Sequence, residues 1–467
     1  MHRFAMLVVL GCLALLPLSL AAQHEEPPPA QADAGELRTF PSLPGAVHTA
    51  PAWVVDRAPF DVKQLFEAVP EAENAAPLYL EALYEFSPLD MERCVSPAVR
   101  ELRGEEVKVR ATRTQAVQLA KPEEVDLAMR AEVVAEYADA FATIRAAQQR
   151  PRCVFETGVG ITALLPHAQA SRQVVRLLDW KIEAEVAQGR LDDALDDVAM
   201  ALRLSRDLQP RGHVISQLVS IALEALTETS LIPKVLASRK LTIEQGRRLQ
   251  QIVATYEQQT LDSFRTGMQM EYVLIRDVLH LLQAPERDPG LLNDLPSGIQ
   301  DTLAQMQAAD FAAEIDQLNA FFGPFVGPDA ISPRGKFELQ PEQRAAQQHM
   351  KVISSLIVNC PQIAEACRRK RTRLAATQLL VALKCWRIQT RNTNPPDLYV
   401  LCKESGIREI PVDEYSPTGE SLKWTVIGGN FVIYSVGSDG RDDEARSDWE
   451  FGQAPGDWSF RLPPEMP

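Results

Sequence analysis

The chain has 467 residues, with 63 acidic against 48 basic side chains and a formal net charge of −15. That balance argues against non-specific nucleic-acid binding and for simple solubility. The length allows two to three domains with substantial cores.

The chain opens with Met1-His2-Arg3, runs apolar from Phe4 to about Leu20, and reaches Ala21-Ala22 before Gln23. A basic start, an apolar core and small residues at the end read as a secretory signal peptide over 1–22. A retained membrane anchor is the alternative, because the run approaches the ~18 residues that span a bilayer. Val9-Leu10-Gly11-Cys12 makes a poor lipoprotein box, since too little apolar sequence precedes Cys12. No later stretch reads as a transmembrane helix after signal removal, so the mature chain is expected in the periplasm or outside the cell. Six cysteines follow the signal: Cys94, Cys153, Cys360, Cys367, Cys385 and Cys402. An even number in an exported protein permits disulfides. Cys367 and Cys385 share one predicted helix and stand about 27 Å apart, too far to pair. Cys94 with Cys153 and Cys385 with Cys402 are the expected bridges, with buried free thiols as the alternative.

Residues 23–58 are rich in Pro and Ala without apolar period and read as a linker. A helical body follows over 59–340. Ala76–Phe86 reads as a short helix, 87–121 resists placement, and Pro122 with Glu123-Glu124 signals a helix to about Arg150. Gly158-Val159-Gly160 lacks the third glycine and the acidic partner of a nucleotide loop, so it reads as a connection between helices. From Ser171 to Leu208 two amphipathic segments meet at Gly189. Leu191, Ala194, Leu195, Val198, Ala201, Leu202 and Leu208 form one helical face, and Val174, Leu178, Ile182 and Val186 form its partner. Acids at Asp192, Asp193, Asp196 and Asp197, with late Arg203 and Arg206, suit the helix dipole.

The next segment, Val214 to about Thr229, is apolar nearly all round, as a central core helix would be. His213, Gln217, Ser220 and Glu224 make its single polar stripe, which is either its route to water or one wall of a polar groove that His167 would join. Thr242-Ile243-Glu244-Gln245 is a capping box. Further helices are expected to Leu282 and over about 299–322, with a boundary loop at 323–340.

The last region, 341–467, is predicted to hold a helix to about Asn359 and a long helix from Pro361 to about Arg391. The latter includes Arg368-Arg369-Lys370-Arg371-Thr372-Arg373, expected as an exposed basic face paired with the acidic remainder. Alternation over Leu422–Ile427, the Gly428-Gly429 turn and Phe431–Val436 predict a β-hairpin. The fold class is therefore mainly α: a helical-hairpin body with a small C-terminal α+β module containing a β-hairpin.

Two resemblances accompany this reading. Gly189, Ala194, Val198, Ala201 and Leu202 fall at the spacing of a tetratricopeptide-type (TPR-like) repeat. Leu178 replaces the family's Trp, Arg206 its closing Pro, and no second copy appears at its period, so one unit rather than a solenoid is implied. Pro395-Pro396-Asp397-Leu398, Val412-Asp413-Glu414-Tyr415-Ser416-Pro417-Thr418-Gly419 and a hairpin ending Tyr434-Ser435-Val436-Gly437-Ser438-Asp439-Gly440 resemble the globular head of type II secretion major pseudopilins. Glu414 stands where that family has Pro, and no prepilin cleavage motif leads the chain. The likeness implies a calcium site using Asp439 and Asp448, to which Asp442 and Asp443 add carboxylates, because calcium takes six to eight oxygens from a flexible acidic loop. A solvated acidic turn is the alternative. The order of Leu164-Leu165-Pro166-His167, the 189–195 run and the tail also resembles uncharacterised exported bacterial helical proteins, which bring no known activity.

The expected function is an exported non-enzymatic protein-interaction or envelope scaffold protein with protein partners in the cell envelope. The alternative is a hydrolase-type enzyme using His213, Gln217 and Glu224 with His167, where a histidine acts as base and the glutamate orients it. Convergence of His167, His213 and Glu224 in one closed pocket would favour the enzyme. A structural wall or surface component is a third reading.

Overall fold

The last part of the expected linker is folded, with a short helix at Ala52–Val55 whose Val54 is buried in the core, and Asn74 leads into the first long helix. Its carboxamide accepts from Ala76 N (3.1 Å) and bridges both backbone groups of Val154, at 3.0 and 2.9 Å. The structure is a computed structural model that describes residues 47–94, 97–121, 124–159, 165–284, 297–330, 334–446 and 456–465. The expected signal peptide, and the linker up to 46, lie outside the described residues.

Helix α1 is Ala76–Phe86, and α2, Pro97–Leu119, occupies the stretch that sequence left unplaced. Val107 packs α2 into the core, and charge adds to it: Arg103 lies 2.7 Å from Glu85, and Arg110 also reaches that carboxylate. The single helix expected from Pro122 is two, α3 at Leu127–Ala135 and α4 at Ala138–Gln148. Asp126 caps α3 by accepting from Met129 N at 2.8 Å. The break falls at Tyr137, which is buried, stacks on Phe86 and meets the Thr114 hydroxyl at 2.8 Å.

The hairpin is α5, Pro166–Gln188, and α6, Leu191–Asp207. Gly189 between them has φ +76°, with Gly189 N on Val186 O and Arg190 N on Glu185 O. Only glycine enters that left-handed region without strain, and this bonding closes a helix end. Helix α7, Val214–Leu226, lies against both hairpin helices and passes through a π turn at Thr227–Leu231 into α8, Ile232–Ala237. Over Val214–Ala237 the helix is long and apolar enough to cross a membrane, contrary to the sequence expectation that nothing after the signal is. Here it is core, and 61% of its most apolar window is buried.

Helix α9, Ile243–Gln259, opens on the predicted capping box: Thr242 and Gln245 exchange side-chain to backbone bonds of 3.2 Å. Helix α10 is Ser263–Gln283. The helix expected at 299–322 divides into α11, Ser297–Gln305, and α12, Ala308–Val326, because Gln307 and Asp310 form their own capping box. Helix α13, Pro341–His349, stops ten residues short of the expected Asn359, and α14 runs over Cys360–Thr390. A short α15, Leu398–Glu404, then leads to the sheet.

The sheet is antiparallel in the order β1 (Lys423–Ile427), β2 (Asn430–Ser435) and β3 (Trp458–Phe460). Gly428 and Gly429 both have positive φ, as a two-residue hairpin turn of this hand requires. Sequence alternation missed β3, which is only three residues long. The chain is thus mainly helical with a small C-terminal sheet. One core surrounds the hairpin and α7. A second gathers Phe264, Met268, Phe321, Phe322 and Cys360, and a third lies between α14 and the sheet. Helix α14 contributes to all three: Ile363 and Cys367 to the second, Leu374 and Val381 to the first, and Leu379 and Leu383 to the third.

Neither expected disulfide forms. All six described cysteines are buried free thiols. Cys385 points at Gly246 on α9, so closely that a Cβ added to that glycine would meet the sulfur at 2.7 Å, whereas Cys402 is packed in the core under the sheet. Cys94 and Cys153 share the first core without a bond between them.

Candidate functional site

The polar stripe of α7 faces inward along its whole length, and each residue on it meets different neighbours. His213 is the N-cap residue of α7 and is buried. Its Nε2 lies 3.1 Å from Gly158 O and 3.4 Å from the Thr157 hydroxyl. His167, in the first turn of α5, stacks on Phe155 with ring centroids 4.4 Å apart, and its Nδ1 has no partner among the described residues. Burial drives the His167 pKa down to about 3, and His213 adds to that shift, so the two imidazoles are close enough to feel each other. Burial also lowers His213. Removing a cation's hydration disfavours its charged form, so both rings are neutral at ordinary pH.

Gln217, one turn further on, donates to Gln209 O (2.7 Å) and Gly212 O (3.1 Å) and so fastens the loop leading into α7. Ser220 joins Ser205 and Gln209 in a buried network. Glu224 is eleven residues from His213, about 16 Å along a helix at ~1.5 Å per residue. Glu224 does not reach His213, so it cannot orient that ring.

Glu224 belongs instead to a buried ionic cluster that sequence reasoning missed. It accepts from the Tyr256 hydroxyl and lies 3.4 Å from Lys370 Nζ. Glu228, one turn later in the π segment, accepts from Arg373 Nε at 2.7 Å. Lys370 also donates to the Thr260 hydroxyl at 2.7 Å. Burial raises Glu228 to about 8, with the Glu224 charge adding and Arg373 opposing. The legible signal was the i, i+4 pair of glutamates on an otherwise apolar segment. Their partners lie on α14, far along the chain.

That pairing corrects the basic run at 368–373, whose pairing with acids holds but whose exposure does not. Lys370 and Arg373 turn inward onto α7. Arg368 lies 3.8 Å over the Tyr415 ring and donates to Glu414 O at 2.7 Å. Arg371 meets the Glu414 carboxylate at 3.0 Å. The run is a seam joining the helical body to the C-terminal module. Glu414, the departure from the pseudopilin pattern, is one of its anchors. Asp413 beside it is buried and accepts from Ser435 Oγ (2.7 Å), Tyr415 N (2.9 Å) and Val436 N (2.8 Å), which ties the 412–419 loop to the end of β2.

Three of the four acids in the calcium reading are described, and they bond to different neighbours. Asp442 accepts from the Tyr434 hydroxyl (3.0 Å) and lies 3.3 Å from Lys423 Nζ. Asp439 accepts from Arg441 N at 3.1 Å. Asp443 offers its backbone N–H to Asp457 at 3.0 Å, and Asp448 lies outside the described residues. Among the described residues, no three His, Cys, Asp or Glu side chains come together as a metal site. The buried carboxylate that organises this loop is Asp457, which accepts from Asp443 N and Ala445 N.

An open groove of about 450 Å³ lies on the same module. Asp397, Tyr399, Ile410, Lys423, Trp424 and Asp442 are among the residues that line it. Tyr399, which lines it, is 65% exposed, and elsewhere on the module Val426 is 49% exposed, Val412 46% and Ile427 38%. No protein-family model, curated protein or solved structure matches the chain, so neither the TPR-like nor the pseudopilin-like resemblance gains support from comparison.

Proposed function

We propose that this chain is an exported protein-binding scaffold of the cell envelope, with the helical body as a rigid mount and the C-terminal module as its contact surface. The observation that supports it best is the groove of the C-terminal module, lined by the 65% exposed Tyr399, on a module that also exposes Val412, Val426 and Ile427. The stripe considered for an active site fits the same reading, because each of its residues makes at least one bond within the fold. His213 is bonded to Gly158 O, Gln217 to two loop carbonyls, and Glu224 to Tyr256. Export rests on the N-terminal sequence pattern, and the calcium site is not carried into this proposal.

Affinity capture with the intact protein from a cross-linked envelope extract tests it. A protein recovered at fixed stoichiometry with the wild type, and lost with Tyr399→Asp/Val426→Asp, is the expected result. Recovery unaffected by that pair of substitutions, or no stoichiometric partner at all, contradicts it.

A further inference from the structure

We infer that the edge of β1 left open among the described residues takes up an extended peptide of a partner protein as an added strand, with apolar and cationic side chains alternating along it. The inference rests on the protein-binding function proposed above and names the chemistry of the partner.

The direction of the peptide groups follows from the turn. A two-residue loop makes Ile427 and Asn430 a hydrogen-bonded pair, and such pairs alternate along an antiparallel ladder. Lys423, Thr425 and Ile427 therefore direct their N–H and C=O at β2. Leu422, Trp424 and Val426 direct theirs at the opposite edge. The first of these is already used: Leu422 N donates to Pro411 O at 2.9 Å, Val412 bridges Ser421, and Asp413 N donates to Glu420 O at 2.8 Å. Before Pro411 the chain leaves this ladder. No described strand continues it past Trp424 and Val426. A short ladder that starts and then stops beside a groove is an open template for another strand.

The side chains define the occupant. Trp424 and Val426 are opposite Ile433 and Phe431, on the face that packs toward α14, while Lys423 and Thr425 are opposite Tyr434 and Val432 on the other face. An added strand alternates in the same way. One of its faces meets Trp424, Val426 and the Ile410 wall, which calls for apolar residues. Charge governs the rest. Asp397 and Asp442 line the groove, Glu420 lies 2.9 Å from Lys423, and that ammonium is the single cation among the described residues lining it. The excess is negative, so cationic residues fit the second face.

The test uses the full chain and a fluorescein-labelled Lys-Val-Lys-Val-Lys-Val-Lys peptide, with its Glu-Val counterpart as comparison, read by fluorescence anisotropy. The basic peptide is expected to bind at least about tenfold more tightly, and Val426→Pro to weaken it by about tenfold or more. Proline there removes one outward N–H and none that faces β2, a position where edge strands tolerate it. Equal binding of the two peptides, or an unchanged affinity for Val426→Pro, overturns the inference. Amide exchange on the unmodified chain covers the case in which that variant does not fold. Trp424 and Val426 amides should exchange fast and Thr425 and Ile427 slowly, and the basic peptide should slow the first pair. If the first pair is protected before peptide is added, or unaffected by it, the edge is not the site. Failure here with a captured partner still sensitive to Tyr399→Asp/Val426→Asp removes the strand-addition mode alone. Failure of that capture removes the binding function itself.

Discussion

Glu271 shows how a single buried carboxyl sets a pH dependence. It lies on α10 and accepts from Val214 N, so it caps α7, whose N-cap residue His213 makes no side-chain cap bond. Burial raises its pKa to about 7, with that one backbone bond opposing. A raised carboxyl means that the folded chain holds a proton the unfolded chain has released. Stability from this group therefore falls as pH rises from the ordinary glutamate range to about 7, and Glu228, raised to about 8, has the same sign. Glu271→Gln should remove about 2 kcal/mol of the stability difference between pH ~5.5 and pH ~8, measured by urea unfolding. An identical pH slope in both proteins would show that the carboxyl is not buried as described. Gly246 makes a second point at this scale. Alanine there gains about 1 kcal/mol of helix propensity but collides with Cys385 Sγ, and overpacking costs roughly 1–3 kcal/mol. Gly246→Ala should destabilise the wild type, and adding Cys385→Ala should recover most of the loss. Equal loss in both backgrounds would place the sulfur elsewhere. Gly189 was readable from sequence, because a glycine between two matching helical stripes has one common use. Gly246 was not, because its requirement comes from a helix far along the chain.

Among the elements, α14 decides how the parts are joined. Lys370 pairs with Glu224 and Arg373 donates to Glu228 inside the body, while Arg368 and Arg371 hold the 413–415 segment. Breaking one partner of a buried pair strands the other charge and costs about 3–5 kcal/mol. Lys370→Met should lose that much in urea unfolding, whereas Lys370→Met/Glu224→Gln should lose less than the sum of the two single changes, by at least about 1 kcal/mol. Strict additivity would mean that the two side chains do not interact. The sequence displayed both halves of this cluster, a basic run and a pair of acids in an apolar helix, without saying that they meet. Surface charge and buried charge look alike in a string of residues. The same limit hid α2, where the Glu85 contacts of Arg103 and Arg110 add to the packing of Val107. Where the periodicity was strong, as in α5, α6, α7 and the hairpin, helix and strand positions were legible to within a few residues.

For the whole molecule, three cores share one helix, and the polar residues within them serve the fold. The candidate site divides accordingly. His167 and His213 are both buried against the 155–158 segment, yet Glu224 is tied into the seam, and the groove lies on the C-terminal module. That surface was hard to foresee because its residues come from α15, the 410–412 segment and β1, and none forms a motif alone. The most direct measurement is photocrosslinking in cells that express the protein, with benzoylphenylalanine introduced singly at Tyr399, Val412 and Ile427 and at the comparably exposed body residues Leu89, Val109 and Leu261. A scaffold that binds through its C-terminal module gives a discrete protein adduct from the first set and none from the second. Adducts confined to Leu89, Val109 or Leu261, or absent from all of these positions, would contradict it.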